Sequence, residues 1–312
     1  MEMIDVACIG VVLMDLPLGP LDEQIFREET TMVDQIALTT GGDAFNEAII
    51  LARLGKRPAL MGQVGDDLLG EIIEKRCDEE GVEHSRLQLS KEAKTRINVV
   101  IVGKDGQRHF IKTLTPGSGS FHPEDMDFDF IKKARAVSLA SLFCSKLKDS
   151  KTVLQVLKTA KDNKLITFAD MVPMAAGESL EDISGALQYL DYFLPNLEEA
   201  EMLTGLENWD EMADSLLSYG VKNVVIKLGK EGCLIKNREE RFLIPAFPAR
   251  AIDTTGAGDN FAAGFISAVL DGSELKDCGV FANAVAAAST ECVGAVGGVV
   301  DRRQIEARIR QK

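Results

Sequence analysis

Short continuous apolar runs alternate along this chain with longer segments whose apolar residues recur at helical spacing. Met3–Val12 reads as a strand, and Asp43–Leu54 reads as a helix that stops at Gly55. The alternation returns in Pro58–Val64 as strand and Asp67–Glu80 as helix. It continues through Ala134–Ala140, Lys151–Asn163, Leu165–Asp170, a helix near Leu180–Tyr189, and Tyr192–Pro195. Helix-rich segments at Gly258–Leu270 and Leu275–Cys292 close the series. Strands joined by crossover helices predict an α/β fold with a mainly parallel central sheet flanked by helices. In such folds ligands bind at the carboxyl ends of the strands.

Two stretches interrupt the alternation, Glu28–Leu38 and Thr95–Lys112. In the second, Arg96–Val102 and Gln107–Lys112 flank Lys104-Asp105-Gly106, a turn signal that predicts a β-hairpin. Both stretches are expected to add strands outside the main sheet. They form either a flap that excludes water from a reacting phosphate or antiparallel edge strands without function. No linker, repeat or low-complexity segment divides the chain. One domain over residues 1–312 is expected, with a small β lid drawn from about residues 12–40 and 92–115.

Composition narrows the partners. With 46% apolar and 27% charged residues the chain is that of a folded protein. Its 35 basic and 49 acidic residues give a net charge of −14, which opposes binding to nucleic acid. A small anion can still be held by helix N-termini and backbone N–H groups. The six cysteines form no C-x-x-C element, and His84, His109 and His122 have no metal spacing and no nearby nucleophile pattern. The opening MEMIDVACIG carries two acids where a secretion signal carries basic residues. No apolar run approaches the roughly 18 residues of a membrane span, so a cytoplasmic protein with no membrane partner is expected.

The segment Ala251-Ile252-Asp253-Thr254-Thr255-Gly256-Ala257-Gly258-Asp259-Asn260-Phe261 runs into a helix of small residues. Gly256 and Gly258 permit a tight turn that exposes successive N–H groups at a helix start, where the dipole favours an anion. Asp259 falls in the first turn, placed to accept a proton from a hydroxyl. Taken alone, the same residues fit a glycine turn that merely starts a helix. The string DTTGAGD, however, has a chance of arising on the order of 10⁻⁶ over a chain of this length. It resembles the carboxyl-terminal signature of the ribokinase-like, or pfkB, carbohydrate kinases. Gly41-Gly42-Asp43-Ala44-Phe45-Asn46 is similar to the family's G-G-x-x-x-N element. Asn196-Leu197-Glu198-Glu199 resembles its N-x-x-E motif, and Leu228-Gly229 with Gly232 resembles its L-G-x-x-G turn.

The resemblance implies a ribokinase-like α/β fold and transfer of the γ-phosphoryl group of ATP to a hydroxyl of a small carbohydrate. Asp259 is then the catalytic base, with Gly256, Ala257 and Gly258 as the anion hole. An aspartate is a weak base towards an alcohol, so its proton transfer comes late in a loose transition state. The sugar site implied is Asp15, Gly41, Gly42 and Asn46, to which Arg96 and Asn98 of the hairpin are added as candidates. The nucleotide side implied is Asn196, Lys227, Gly229, Gly232, Gly258 and Asn283. Glu199 is implied to hold Mg2+ through water. Asp253 and Thr255, with the loop from Gly294 to Gly298, resemble a potassium site. Relatives often dimerise through their lids, which implies a homodimer touching at Ile97, Val99 and Ile101 or at Val100 and Val102.

Spacing alone leaves other roles open. Glu198, Glu199 and Glu201 also fit a solvated helix start capped by Asn196, and Asp15 also fits an exposed strand-end acid. The chain departs from ribokinases at Leu13, where they carry a sugar-binding Asn, and at Lys227, where Thr or Ser is common. Asp170-Met-Val-Pro lacks the Asn and Arg expected of many fructokinases. A nucleoside kinase and a non-catalytic sugar-binding regulator remain the alternatives on this fold. A P-loop string is absent, and Phe261 occupies the third-glycine place of a Rossmann fingerprint.

Overall fold

The structure, a computed structural model, describes residues 3–33, 36–104, 108–112, 126–174 and 177–311. Their strands are Ile4–Ile9 (β1), Leu13–Leu21 (β2), Thr39–Gly41 (β3), Pro58–Met61 (β4), Gln63–Gly65 (β5), Gln88–Ser90 (β6) and Ile97–Gly103 (β7). Arg108–Lys112 (β8), Ala134–Leu142 (β9), Ile166–Met171 (β10), Tyr192–Phe193 (β11), Asn223–Lys227 (β12), Cys233–Lys236 (β13) and Arg241–Ile244 (β14) follow. The main sheet has eight strands in the order β14-β13-β12-β11-β10-β9-β1-β4, parallel from β12 to β4 and antiparallel at β13 and β14. A second sheet of four strands, β3-β2-β7-β8, stands apart from it.

Strands buried on both faces account for the continuous apolar runs, since β1 and β4 are buried at every position. One apolar cluster packs the helices Asp43–Arg53, Ala257–Leu270 and Leu275–Ser289 on one face of the sheet. A second cluster packs Ser150–Asp162 and Trp209–Ser218 on the other. The helix ends follow local chemistry. Asp67 caps Leu68–Glu80 by accepting from the Gly70 N–H at 3.1 Å. Gly55 ends the Asp43–Arg53 helix in the left-handed region, with Lys56 donating back to the Leu51 carbonyl at 2.9 Å.

Several expectations change. Met3–Val12 is not one strand, because β1 ends at Ile9 and the chain turns where the Val11 N–H donates to the Ser141 hydroxyl. Pro58–Val64 divides at Gly62 into β4 and β5. The described part of Glu28–Leu38 joins no sheet, and the extra strands are instead β2 and β3. Met32 and Ile36 there are exposed, so their apolar character records no strand face. Leu180–Tyr189 shortens to a 3-10 turn and the helix Ser184–Leu187, because a capping box between Ser179 and Asp182 closes the first turn tightly. The hairpin strands occur as expected as β7 and β8; the turn residues Asp105 and Gly106 lie outside the described residues, as does His122. No helix of the described residues is long and apolar enough to cross a membrane.

The end of the sheet opposite the carboxyl termini of its strands is held by Asp191. Its carboxylate accepts from Lys161 (2.6 and 2.7 Å), Lys222 (2.7 Å) and both the N–H and the hydroxyl of Thr167 (3.0 Å each). Burial alone raises the carboxyl pKa, but these donors hold it below the ordinary aspartate range. A depressed carboxylate contributes stability above its unfolded pKa and loses it as pH falls through the folded one. Asp191→Asn is therefore expected to destabilise the protein by about 1–3 kcal/mol at pH 7. Denaturant titration should show that difference shrinking below about pH 4.

Candidate active site

The carboxyl ends of β1, β9, β10 and β12 converge with the N-termini of two helices, Asp43–Arg53 and Ala257–Leu270. Gly42 starts the first of these at φ 98°, and a Cβ there would lie 2.5 Å from the Val11 carbonyl oxygen. Only glycine lets the helix begin this close to the chain leaving β1. Its first two turns then present three polar side chains to the strand ends. Asp43 accepts from the Ser141 hydroxyl at 2.8 Å, and Glu47, almost fully buried, accepts from Ser138 at 2.7 Å. Asn46 donates to the Asp259 carboxylate at 2.7 Å.

The second helix is set by a glycine turn. Gly256 lies at φ 70° against Ala295, whose Cβ would be 2.6 Å from a Cβ added at Gly256. Asn260, fully buried, locks this contact by donating to the carbonyls of Gly256 (2.7 Å) and Ala295 (2.6 Å). Asn260 was not legible as a site residue, although a buried amide one turn beyond a glycine turn is the signal that could have marked it. The Ala257 N–H donates within the turn to the Thr254 carbonyl at 3.2 Å, the long end of the range. Asp253 braces the approach, accepting from the Thr255 N–H (2.9 Å) and hydroxyl (2.7 Å) and from the Gly294 N–H (2.8 Å). The Gly298 carbonyl accepts from Gln304 at 2.9 Å.

The second sheet supplies the opposite wall. Asp15 on β2 lies in register with Asn98 on β7, which donates to its carboxylate, and Gly41 on β3 leaves room for that carboxylate by having no Cβ. A cavity of about 350 Å³ is enclosed between the two sheets. It is lined by Asp15, Gly42, Asp43, Asn46, Arg96, Asn98, Phe110, Lys112, Cys144, Gly256, Ala257, Gly258 and Asp259 among others. The Oδ1 atoms of Asn46 and Asn98 are buried without a hydrogen-bond partner in the described residues. They are acceptors awaiting a donor.

The residues expected on the nucleotide side lie around the carboxyl end of β12 and the turn after it. Asn196 caps the helix Leu197–Thr204 and shares a capping box with Glu199, at 2.9 and 2.7 Å. Glu199 is buried whereas Glu198 and Glu201 are exposed, so Asn196 is a cap and Glu199 still is no solvated residue. Asn196 is bridged to Lys227, whose N–H donates to Pro195 at 2.9 Å. Gly229 and Gly232 turn the chain from β12 into β13, and Asn283 anchors the end of β14 by donating to the Ile244 carbonyl at 3.1 Å. Lys227 forms a buried ion pair with Asp170, which lies where the β10–β9 register shifts.

Crowding of acids in a dry site raises their pKa values. Burial lifts Asp15 to about 6, against the Asn98 hydrogen bond and the Lys112 charge. It lifts Asp43 to about 6, Glu199 to about 7 and Glu47 to about 8, with Asp170 adding repulsion in each case. Asp259 is pushed well above the ordinary range by burial and by Asp43, and the Asn46 hydrogen bond opposes this only in part. Burial pulls Lys227 down, but Asp170, Glu199 and Asp259 outweigh it and keep the ammonium charged.

The pfkB family carbohydrate kinase profile matches residues 3–302. The chain belongs to the pfkB family of carbohydrate kinases. It is 32% identical over 284 residues to a 2-dehydro-3-deoxygluconokinase of Bacillus subtilis, covering 85% of this chain and 84% of that one. The ribokinase of Thermotoga maritima superposes with a TM-score of 0.82 at 26% identity, covering 98% and 99% of the two chains. An Arabidopsis thaliana ribokinase complexed with ribose and ATP superposes at 0.81 and 24% identity, covering 99% of each. The expected ribokinase-like fold is thereby established.

Glu47 is buried and does not line the cavity, and its elevated pKa has a stability consequence. A carboxyl whose folded pKa is raised contributes stability that is complete below its unfolded pKa and is lost as pH rises towards the folded one. Glu47→Gln removes that loss. Its melting temperature relative to wild type is expected to rise between pH 5 and pH 8.5 by about 3 °C or more, measured by calorimetry.

Proposed function

We propose that this pfkB-family chain is an ATP-dependent kinase that phosphorylates a hydroxyl of a small carbohydrate, with Asp259 as base. The observation that carries the reading is the Asn46–Asp259 hydrogen bond at the glycine turn. It ties a proton acceptor to the sugar-side helix and leaves the Asn46 Oδ1 free for a substrate hydroxyl. Together with Asn98 and Asp15 this makes an array of acceptors in one cavity, which suits a polyol rich in O–H donors. An aspartate held above its ordinary range is also a better acceptor for an alcohol proton than a normal one.

In this reading the acceptor oxygen bonds to the γ-phosphorus while the bond from that phosphorus to the β,γ-bridging oxygen breaks. ADP leaves with the electron pair, and the hydroxyl proton passes to Asp259. Gly256, Ala257 and Gly258 offer N–H groups to the phosphoryl oxygens, the long Ala257–Thr254 bond being the easiest to surrender. Glu199 uses Oε2 in its capping box, and its other oxygen suits a water on Mg2+, which supplies charge neutralisation at the phosphates. Asp253, Thr255 and Gly294 already form one braced group, consistent with a potassium ion acting on the hole through its geometry. Residues 1–312 serve as one kinase domain whose second sheet is the lid.

The lid also supports a homodimer. Val99 and Ile101 of β7, half-buried, share an outer face with the exposed Ile111 of β8, whereas Asn98 and Val100 are buried and Ile97, expected on that face, packs instead against the main apolar core. A second copy covers such a face.

Asp259→Asn is expected to lower kcat by at least about 10²-fold on whichever sugar or nucleoside of a side-by-side panel the wild type turns over, with ADP affinity in calorimetry nearly unchanged. The base acts deprotonated, so kcat/KM must fall as pH drops through raised carboxyl pKa values. Its acid limb is expected well above the ordinary aspartate range, the direction in which burial and Asp43 push Asp259; a limb near 4 contradicts the assignment. Light scattering at micromolar concentration should report a dimer that Val99→Lys with Ile111→Lys converts to monomer. A monomeric wild type removes the lid interface.

A further inference from the structure

We propose that Lys227 is a catalytic residue that binds the phosphoryl group in transit, and that Asp170 is the positioning residue that aims it. The proposal rests on the kinase reading above and adds a group that acts on the transferred phosphoryl itself.

Lys227 sits at the last position of β12, between the nucleotide-side turn that follows it and the helix that carries the glycine turn. Its Nζ is the heavy atom closest to where a Cβ on Gly258 would lie, at 3.4 Å. The ammonium therefore borders the anion hole directly. Its side chain is 11% exposed, and the hydrogen bond it makes goes to Asp170, itself 5% exposed. An ammonium has three donors. The Asp170 bond takes one of them, and the ammonium stands beside Gly258 at the start of the Ala257–Leu270 helix, whose dipole favours an anion.

Asp170 is fixed in turn. Its Oδ1 accepts from the Met171 N–H at 2.8 Å, and the register shift between Ala169 and Met171 turns it towards the site. The pair is thus anchored on strands, as pre-organised stabilisation of a transition state requires. When the γ-phosphorus exchanges the bridging oxygen of ADP for the acceptor oxygen, charge spreads over its equatorial oxygens. Lys227 donates hydrogen bonds to that group and keeps its proton, while the acceptor's proton goes to Asp259.

The competing role is purely structural: Lys227 would only neutralise the acids Asp170, Glu199 and Asp259 that surround it. Lys227→Met alone cannot separate the two, since it strands a buried carboxylate and lowers the melting temperature. Lys227→Met combined with Asp170→Asn replaces the pair by neutral groups of similar shape and is expected to melt near wild type. If Lys227 acts on the phosphoryl group, the double variant keeps ADP affinity within about 3-fold while kcat falls at least about 10²-fold. Its calorimetric affinity for ADP with aluminium fluoride, a mimic of the transferring phosphoryl, falls by at least about 30-fold. Recovery of kcat to within about 5-fold of wild type, or unchanged fluoride affinity, overturns the proposal. Should the double variant not fold, Lys227→Arg keeps charge and pairing but moves the donors. A kcat lowered about 10-fold or more at an unchanged melting temperature supports the role, and wild-type kcat overturns it. A wild type that turns over no sugar or nucleoside removes the kinase reading itself. An active wild type, sensitive to Asp259→Asn but not to the Lys227 variants, removes only this proposal.

Discussion

Desolvated like charge is the constraint around which this structure is arranged. Asp43, Glu47, Asp170, Glu199 and Asp259 are drawn together at the carboxyl ends of the central strands, and burial raises the pKa of each. A packed core could not hold five ionised carboxylates at such range, so several must carry protons or be paired. The pairing falls to Lys227, and hydroxyls of Ser138 and Ser141 and the amide of Asn46 supply the remaining donors. Such tension is characteristic of a site kept for chemistry rather than for stability. At the opposite end of the sheet Asp191 shows the contrasting arrangement, with two lysines and a threonine satisfying a single acid.

Glycine makes the close approaches possible. Around the cavity, a Cβ at Gly42 or Gly256 would strike neighbouring backbone, and one at Gly41 would strike the Asp15 carboxylate. Each therefore acts on a different component: the start of the Asp43–Arg53 helix, the glycine turn before Ala257–Leu270 and the seat of Asp15. Asn260 then converts the flexible glycine turn into a fixed one by bonding both of its walls. The turn is held because the amide nitrogen of a buried side chain outside it donates to both walls.

The second sheet gives the cavity its other half. Strand alternation places Asp15, Asn98, Phe110 and Lys112 on the inner side and Val99, Ile101 and Ile111 on the outer side. A slip of one residue in the β2–β7 register would exchange the two sets, removing the acceptor array and burying the apolar stripe.

The α/β class, most of the strand–helix order and the family were legible in the sequence, because helical and strand periodicities and the strings DTTGAGD and GGDAFN are local properties of neighbouring residues. Glu28–Leu38 misled because exposed apolar residues mimic a strand face, and β12 to β14 passed unread because their runs are short. Motif spacing could name Asp259, Asn46 and Lys227 one by one but not say that Asn46 touches Asp259, that Lys227 pairs with Asp170, or that Asn260 braces Gly256. Those contacts join residues brought together by crossover connections and by two sheets meeting. Sequence dictates local conformation through sterics and hydrogen bonding over a few positions. The pKa values and free acceptors that make a site depend on burial and on charges from distant segments, which exist only once the chain has packed.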